Sequence, residues 1–347
     1  MNTDQLLAGP RGRRLCLSLA SELEPRIRRA VFNLGYELDP GKGVSVVLFG
    51  TAADAGGVTD LPADSPEELG ALLATLDVPD LDGMLVLAAL DTAVATARYW
   101  QAPDGEDVLA ALPVIREALR PVADGALASP GAGWWEQSRV REQWAVDWRD
   151  PDAPAPLGQD RRTVLAEWAR NTRAEELRAR ETSRHASGSW WSIPVGLLGT
   201  IGRLPAGLGL VEDAPGWREA SAVPVRGGGR TYEIRTGDDW AQLCRAFPLE
   251  VTASRQHDWF QVTGRDGRWM IPDWERVSRE WDAVHLTVLG YLACAGRALT
   301  VDSDTASLIA GWDPDRTIWL TDTVRETGEP RQSWRRAQQG DPWMRAE

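Results

Sequence analysis

Apolar residues at Leu15, Leu19, Leu23, Ile27, Val31 and Leu34 recur every three or four positions, an amphipathic helical stripe interrupted at Pro25. Two helices are expected over 10–38. VSVVLFG, residues 44–50, is short, β-branched and followed by turn residues, so it reads as a buried strand. In Asp64-Ser65-Pro66-Glu67 a capping side chain precedes proline at the first helical position and an acid in the first turn, which marks a helix start. The segments 82–100 and 104–124 read as a helical hairpin joined at Gln101-Ala102-Pro103. DPDAPAP, residues 150–156, has the composition of a linker, and Asp160 to His185 reads as a largely solvated connecting helix rich in Arg and Glu.

From Gly188 onward the period changes. SWWSIP, AVPV, RTYEIR, WFQVT and RWMI are strand-length, aromatic or β-branched, and separated by glycine or aspartate turns. The glycines 227–229 read as a hairpin connection. GDDWAQLCRAF places Trp240, Leu243, Cys244 and Phe247 on one helical face behind two acids, and PDWERVSREW aligns Trp274, Val277 and Trp281. AVHLTV, residues 283–288, alternates like a half-buried strand, and SLIAGWDPDRTIWL reads as a hairpin about Gly311 to Asp315. The fold class expected is α+β: a helical N-terminal part followed by a Trp-rich mixed sheet with covering helices. The division expected is a mainly helical acidic domain over 1–150, a connecting linker and helix over 151–187, and a Trp-rich α+β domain over 188–347.

Composition sharpens that division. All eighteen tryptophans of the 347-residue chain fall at Trp100 or later. Residues 1–150 carry 23 acidic against 13 basic side chains, the remainder 28 against 25, so the net charge of −13 sits mainly in the first part. That balance argues against nucleic acid as a partner, which needs a basic surface to displace phosphate counterions. Lys42 is the one lysine, so the positive charge is almost all arginine. Cys16, Cys244 and Cys294 are widely spaced with no C-x-x-C pair, which fits free thiols in a reducing cytoplasm and gives no metal site. The N-terminus lacks the order of a signal peptide, and Ser189 to Val211 is too broken by proline, arginine and glycine for a membrane helix. A soluble cytoplasmic protein with no membrane partner is expected.

No motif names a reaction. The G-x-S-x-G elbow, Walker and G-x-G-x-x-G patterns are absent, His185, His257 and His285 lack metal-pair spacing, and Cys244 falls on an apolar helix face. One constellation remains. Arg235 ends a strand before an acidic helix start; Arg255, His257 and Asp258 cluster in a turn; His285 lies on a strand whose Val284 and Leu286 face the other way; Asp313 and Asp315 form a hairpin tip.

Over residues 230–320 this set resembles the mono-ADP-ribosyltransferases, although their Ser-Thr-Ser strand and E-x-E pair are missing and Asp313-Pro314-Asp315 stands in their place. The resemblance implies Arg235 and Arg255 as cofactor-binding phosphate contacts and His285 or Asp315 as catalytic acid–base groups of an enzyme acting on a nucleotide or NAD-like substrate. The sequence identifies no cofactor. The adjacent pairs Trp134-Trp135 and Trp190-Trp191 give the other reading. In an extended segment neighbours point to opposite sides, so one member of each pair would anchor an interface or a flat ligand. That reading makes the chain a ligand- or partner-binding protein with its site at the junction of the two parts, its partner another protein or an anionic small molecule. It leads, with the enzyme as the alternative.

Overall fold

The computed structural model describes residues 2–42, 65–149, 157, 160–181, 188–213, 216–338 and 340–346. The expected strand at 44–50 and the expected linker at 150–156 lie outside them. The fold is α+β, with helices in the N-terminal part and a sheet-rich C-terminal part. Pro25 divides the first stripe into helices Pro10–Leu23 and Pro25–Leu38, standing at the first position of the second. Ser65 caps helix Pro66–Ala74 through its hydroxyl. The expected hairpin keeps its first arm, Gly83–Ala95, but the second is three short helices, Gly105–Ala111, Pro113–Ala118 and Arg120–Ala128. Pro113 and Pro121 lack the amide that would continue the preceding turn, so each opens a new helix.

The strands in chain order are β1 (Glu142–Asp147), β2 (Gly199–Ile201), β3 (Glu219–Gly227), β4 (Thr231–Ile234), β5 (Pro248–Glu250), β6 (Arg268–Pro272), β7 (Ala283–Leu286), β8 (Leu299–Thr300), β9 (Thr305–Ser307), β10 (Arg316–Trp319), β11 (Val324–Glu326), β12 (Gln332–Arg335) and β13 (Met344–Arg345). The large sheet runs β13-β12-β3-β1-β2-β10-β7-β4, with β11 also on β3, and a small sheet runs β5-β6-β9-β8. Among the described residues, only β4 with β7 is parallel in the large sheet.

Four local readings are corrected by the structure. WFQVT is the end of helix Thr252–Thr263, not a strand, and carries Arg255, His257 and Asp258 on helical turns. SLIAGWDPDRTIWL is no hairpin, because β9 pairs in the small sheet and β10 in the large one. The glycines 227–229 do not join paired strands either, since β3 and β4 stand far apart in the large sheet. SWWSIP adopts no strand.

One apolar core runs through both parts. Leu15, Leu19, Leu90 and Val122 share it with Trp240, Trp274, Leu286 and Trp312. β1, which precedes residue 150, pairs in the middle of the sheet between β2 and β3. The contact is close where the chain begins: a methyl on Gly9 would fall 1.9 Å from the Leu292 carbonyl oxygen, so only glycine fits. Arg11 is buried, pairs with Asp107 and donates to the Ala93 carbonyl at 3.0 Å. That ties helix Pro10–Leu23 to the end of helix Gly83–Ala95 and fixes the exit leading to Tyr99 and Trp100. Among the described residues, no helix is long and apolar enough to cross a membrane.

Candidate functional site

The strand β7 alternates as its sequence predicts. Val284 and Leu286 enter the common core, and His285 faces the opposite side of the sheet with no exposed surface. There it meets a line of polar side chains on adjacent strands. Trp319 donates its indole N–H to Thr200 at 2.8 Å, Thr200 donates to Gln143 at 2.8 Å, and Gln143 donates to Thr317 at 2.9 Å. The Thr317 oxygen lies 3.0 Å from His285 Nδ1. Thr317 thus links Gln143 to the imidazole. Nε2 stands 3.8 Å from Asp315 Oδ1.

The electrostatics of this seam follow from its closure. Burial pushes His285 down to about 4, opposed by the Gln137 backbone and assisted by the charges of Arg139 and Arg235. Burial pushes Asp315 up to about 6, against the Gly202 N–H that its Oδ2 accepts at 3.1 Å and against Arg203. Glu233, directly opposite His285 in register, is likewise raised by burial. Asp315 adopts φ +56°, a left-handed conformation that aspartate tolerates better than most residues. The imidazole is neutral near pH 7 and reaches no solvent.

Of the four site residues read from sequence, three share this end of the sheet. His285 and Asp315 are neighbours, and Arg235 is close enough for its charge to act on His285. Arg235 itself is exposed, donates to Ser138 Oγ at 2.6 Å, and lines a separate cavity of about 870 Å³ with Thr236, Asp238 and Arg297. Arg255 lies elsewhere. It is buried on helix Thr252–Thr263 and pairs with Glu175 at 3.1 Å on helix Arg161–Glu181. Enclosed and paired there, it lines a different cavity from Arg235. Among the described residues no three His, Cys, Asp or Glu side chains are grouped to hold a metal ion.

A second site sits at the margin of the opposite face. Trp100, Trp148, Trp190, Trp191 and Trp217, with Tyr99, line one cavity of about 300 Å³. Trp190 and Trp191 do not point to opposite sides as an extended pair would. They stack, with centroids 4.9 Å apart and planes 7° from parallel. Trp100 and Tyr99 extend this wall at 5.0 and 5.6 Å from Trp190. Across the cavity Trp148 stacks on Trp217 at 4.7 Å. By contrast, Trp135 of the other adjacent pair is buried in the common core.

The backbone locks the first wall. Ser192 exchanges hydrogen bonds with Ala310 in both directions, each 3.0 Å, and Trp259 and Trp274 donate their indole N–H groups to the carbonyls of Trp190 and Ser192 at 2.9 Å. Gly311, at φ +75°, completes the fit: a methyl there would press on Trp190 and Trp191 at 3.2 and 3.3 Å. Carboxylates rim the space. Glu212 accepts a hydrogen bond from the Tyr99 hydroxyl, donates its own backbone N–H to Asp313 at 2.9 Å, and is pushed up to about 7 by burial and by Asp313. Asp313 pairs with Arg316.

Comparison with protein-family models, with curated proteins and with solved structures finds no match to this chain. The site therefore rests on its own geometry. Sequence reasoning found Trp190, Trp191 and Asp313 but missed Trp100, Trp148, Trp217 and Glu212. Turn-type sequence beside an indole does not single them out, since Trp274 follows Pro272-Asp273 and Trp312 precedes Asp313-Pro314 and both are buried in the core.

Proposed function

We propose that the chain binds a small organic molecule in the tryptophan-lined cavity where its N-terminal helical part meets the sheet. The observation that carries this reading is the convergence of Tyr99, Trp100 and Trp148 from one part with Trp190, Trp191 and Trp217 from the other around one unfilled space. Aromatic faces held rigid by backbone hydrogen bonds lose little entropy on meeting a ligand, and a recess suits a small molecule better than a protein surface. A volume of about 300 Å³ is at the low end of small-molecule sites, too small for a dinucleotide. Three buried free thiols support a reducing compartment such as the cytoplasm as the place of work.

The test is a thermal-shift screen of a chemically mixed small-molecule set against the wild type and Trp217→Ala. Trp217 is 38% exposed, so its loss leaves the fold in place. Compounds at about 100 times their Kd are expected to stabilise the wild type by about 2.7 kcal/mol and the variant by much less. Ligands that stabilise both equally would place binding elsewhere and end the proposal.

A further inference from the structure

Charge at the cavity is one-sided. Among the described residues, its lining holds the carboxylates of Glu212, Asp213 and Asp313 against a single cation, Arg316, and that guanidinium is already paired with Asp313. Asp213 has a partner in Arg98 at 3.2 Å, but Glu212 has only hydroxyls and a like charge around it: Tyr99, Tyr291 and Asp313, with Arg11 further off and committed to Asp107. One Glu212 oxygen accepts a hydrogen bond from the Tyr99 hydroxyl, and the other, Oε2, is buried. An anion entering here would add to three carboxylates. A neutral ring would stack but leave Glu212 without a counterion. A cation satisfies both the carboxylate and the indole faces, whose quadrupoles are negative above the ring. The protein already uses that attraction beside the cavity, with the Arg98 guanidinium 5.8 Å from the Trp100 ring centre.

We infer that the cavity takes a small organic cation, a protonated or quaternary amine, with its charge over the stacked indoles of Trp190–Trp191 and Trp148–Trp217 and Glu212 as its principal counterion. This rests on the small-molecule reading above. It replaces the anionic ligand expected from the arginines of the sequence. The cation's size is limited by the space of about 300 Å³, which accommodates a trimethylammonium head with a short chain.

The experiment is a titration of the full chain, followed by indole fluorescence and calorimetry at pH 8, with choline, its uncharged isostere 3,3-dimethylbutan-1-ol, and the anion 3,3-dimethylbutanoate. Choline is expected to bind at least about tenfold more tightly than the alcohol, and the anion not to bind. Glu212→Gln should cut choline affinity by about tenfold while leaving that of the alcohol unchanged. Because Glu212 must be ionised to act, choline affinity should also fall as pH drops from 8 to 6, and Glu212→Gln should remove that dependence. Equal binding of choline and the alcohol would overturn the cationic class and leave the small-molecule reading standing. Tighter binding of the anion would overturn it as well. No binding of choline, tetramethylammonium or n-butylammonium up to about 10 mM also overturns it, and the thermal-shift screen then decides separately whether any small molecule binds.

Discussion

The two faces of the large sheet solve the same problem in opposite ways. On one, Trp319, Thr200, Gln143, Thr317 and His285 answer one another's hydrogen bonds across neighbouring strands until the line is closed to solvent. On the other, indoles of equal bulk are held apart around a cavity of about 300 Å³. A closed polar line contributes to stability and register, because each member left unpaired would cost a buried donor or acceptor. An open aromatic recess leaves its contacts available to something else. Perturbed titration accompanies both, so a shifted carboxyl at Asp315 or Glu212 does not by itself separate structure from binding.

Substitutions can pull that contrast apart. Gln143→Leu strands the hydroxyls of Thr200 and Thr317 and should cost about 3 kcal/mol in urea unfolding, with ligand affinity unchanged; a loss under about 1 kcal/mol would mean that the seam is dispensable. The pH dependence comes next in size. His285 is held near 4 against an ordinary 6.5, so the unfolded chain protonates first and stability falls by up to about 3 kcal/mol as pH drops from 6.5 to 4. Asp315, held near 6 against 3.8, works the other way: its contribution is present below 3.8 and is lost as pH rises through 6. In His285→Gln the first of these is gone, so stability relative to wild type should rise steadily as the pH is lowered from 6.5 to 4. Parallel profiles would show that the imidazole does not titrate as its burial requires.

Smaller effects are expected at the cavity, where the pattern reverses. Trp190→Leu should lower stability by about 1–2 kcal/mol, since the indole is only half-buried, yet weaken ligand binding by about tenfold or more. Smaller still is Glu176→Ala. That carboxylate, on helix Arg161–Glu181, accepts the backbone N–H groups of Ala253 and Ser254 at 3.0 and 2.9 Å and so caps helix Thr252–Thr263 from outside. Its removal should cost about 1 kcal/mol by thermal denaturation and leave the cavity's ligand affinity untouched.

The same Glu176 explains why part of the fold was not legible in sequence. Trp259-Phe260-Gln261-Val262-Thr263 has strand propensity, and Val251 at the helix start offers no capping side chain. The cap comes from a residue 78 positions before Ser254, which no local pattern reveals. Where the determinants are local, reading succeeds: Thr236 and Asp239 form a capping box around the face of Trp240, Leu243 and Cys244, and Pro25 breaks its stripe at the expected place. The site divides likewise. Alternation in β7 is enough to put His285 on the face opposite Val284 and Leu286, and turn chemistry gives Asp315 its bend. That Asp313 and Glu212 meet, or that Trp148 faces Trp217, depends on sheet order, and the misread arms of SLIAGWDPDRTIWL show how little of that order is carried by a single hairpin signal.

The stacked, nearly parallel rings of Trp190 and Trp191 have an optical consequence. Two indoles this close share their electronic excitation, and the splitting gives a circular dichroism couplet whose sign and size depend on their mutual angle. An occupant that slid against them, or a change that freed Ser192 from Ala310, would alter that couplet before any helix was lost. The protein thus carries an unlabelled gauge of its own binding wall.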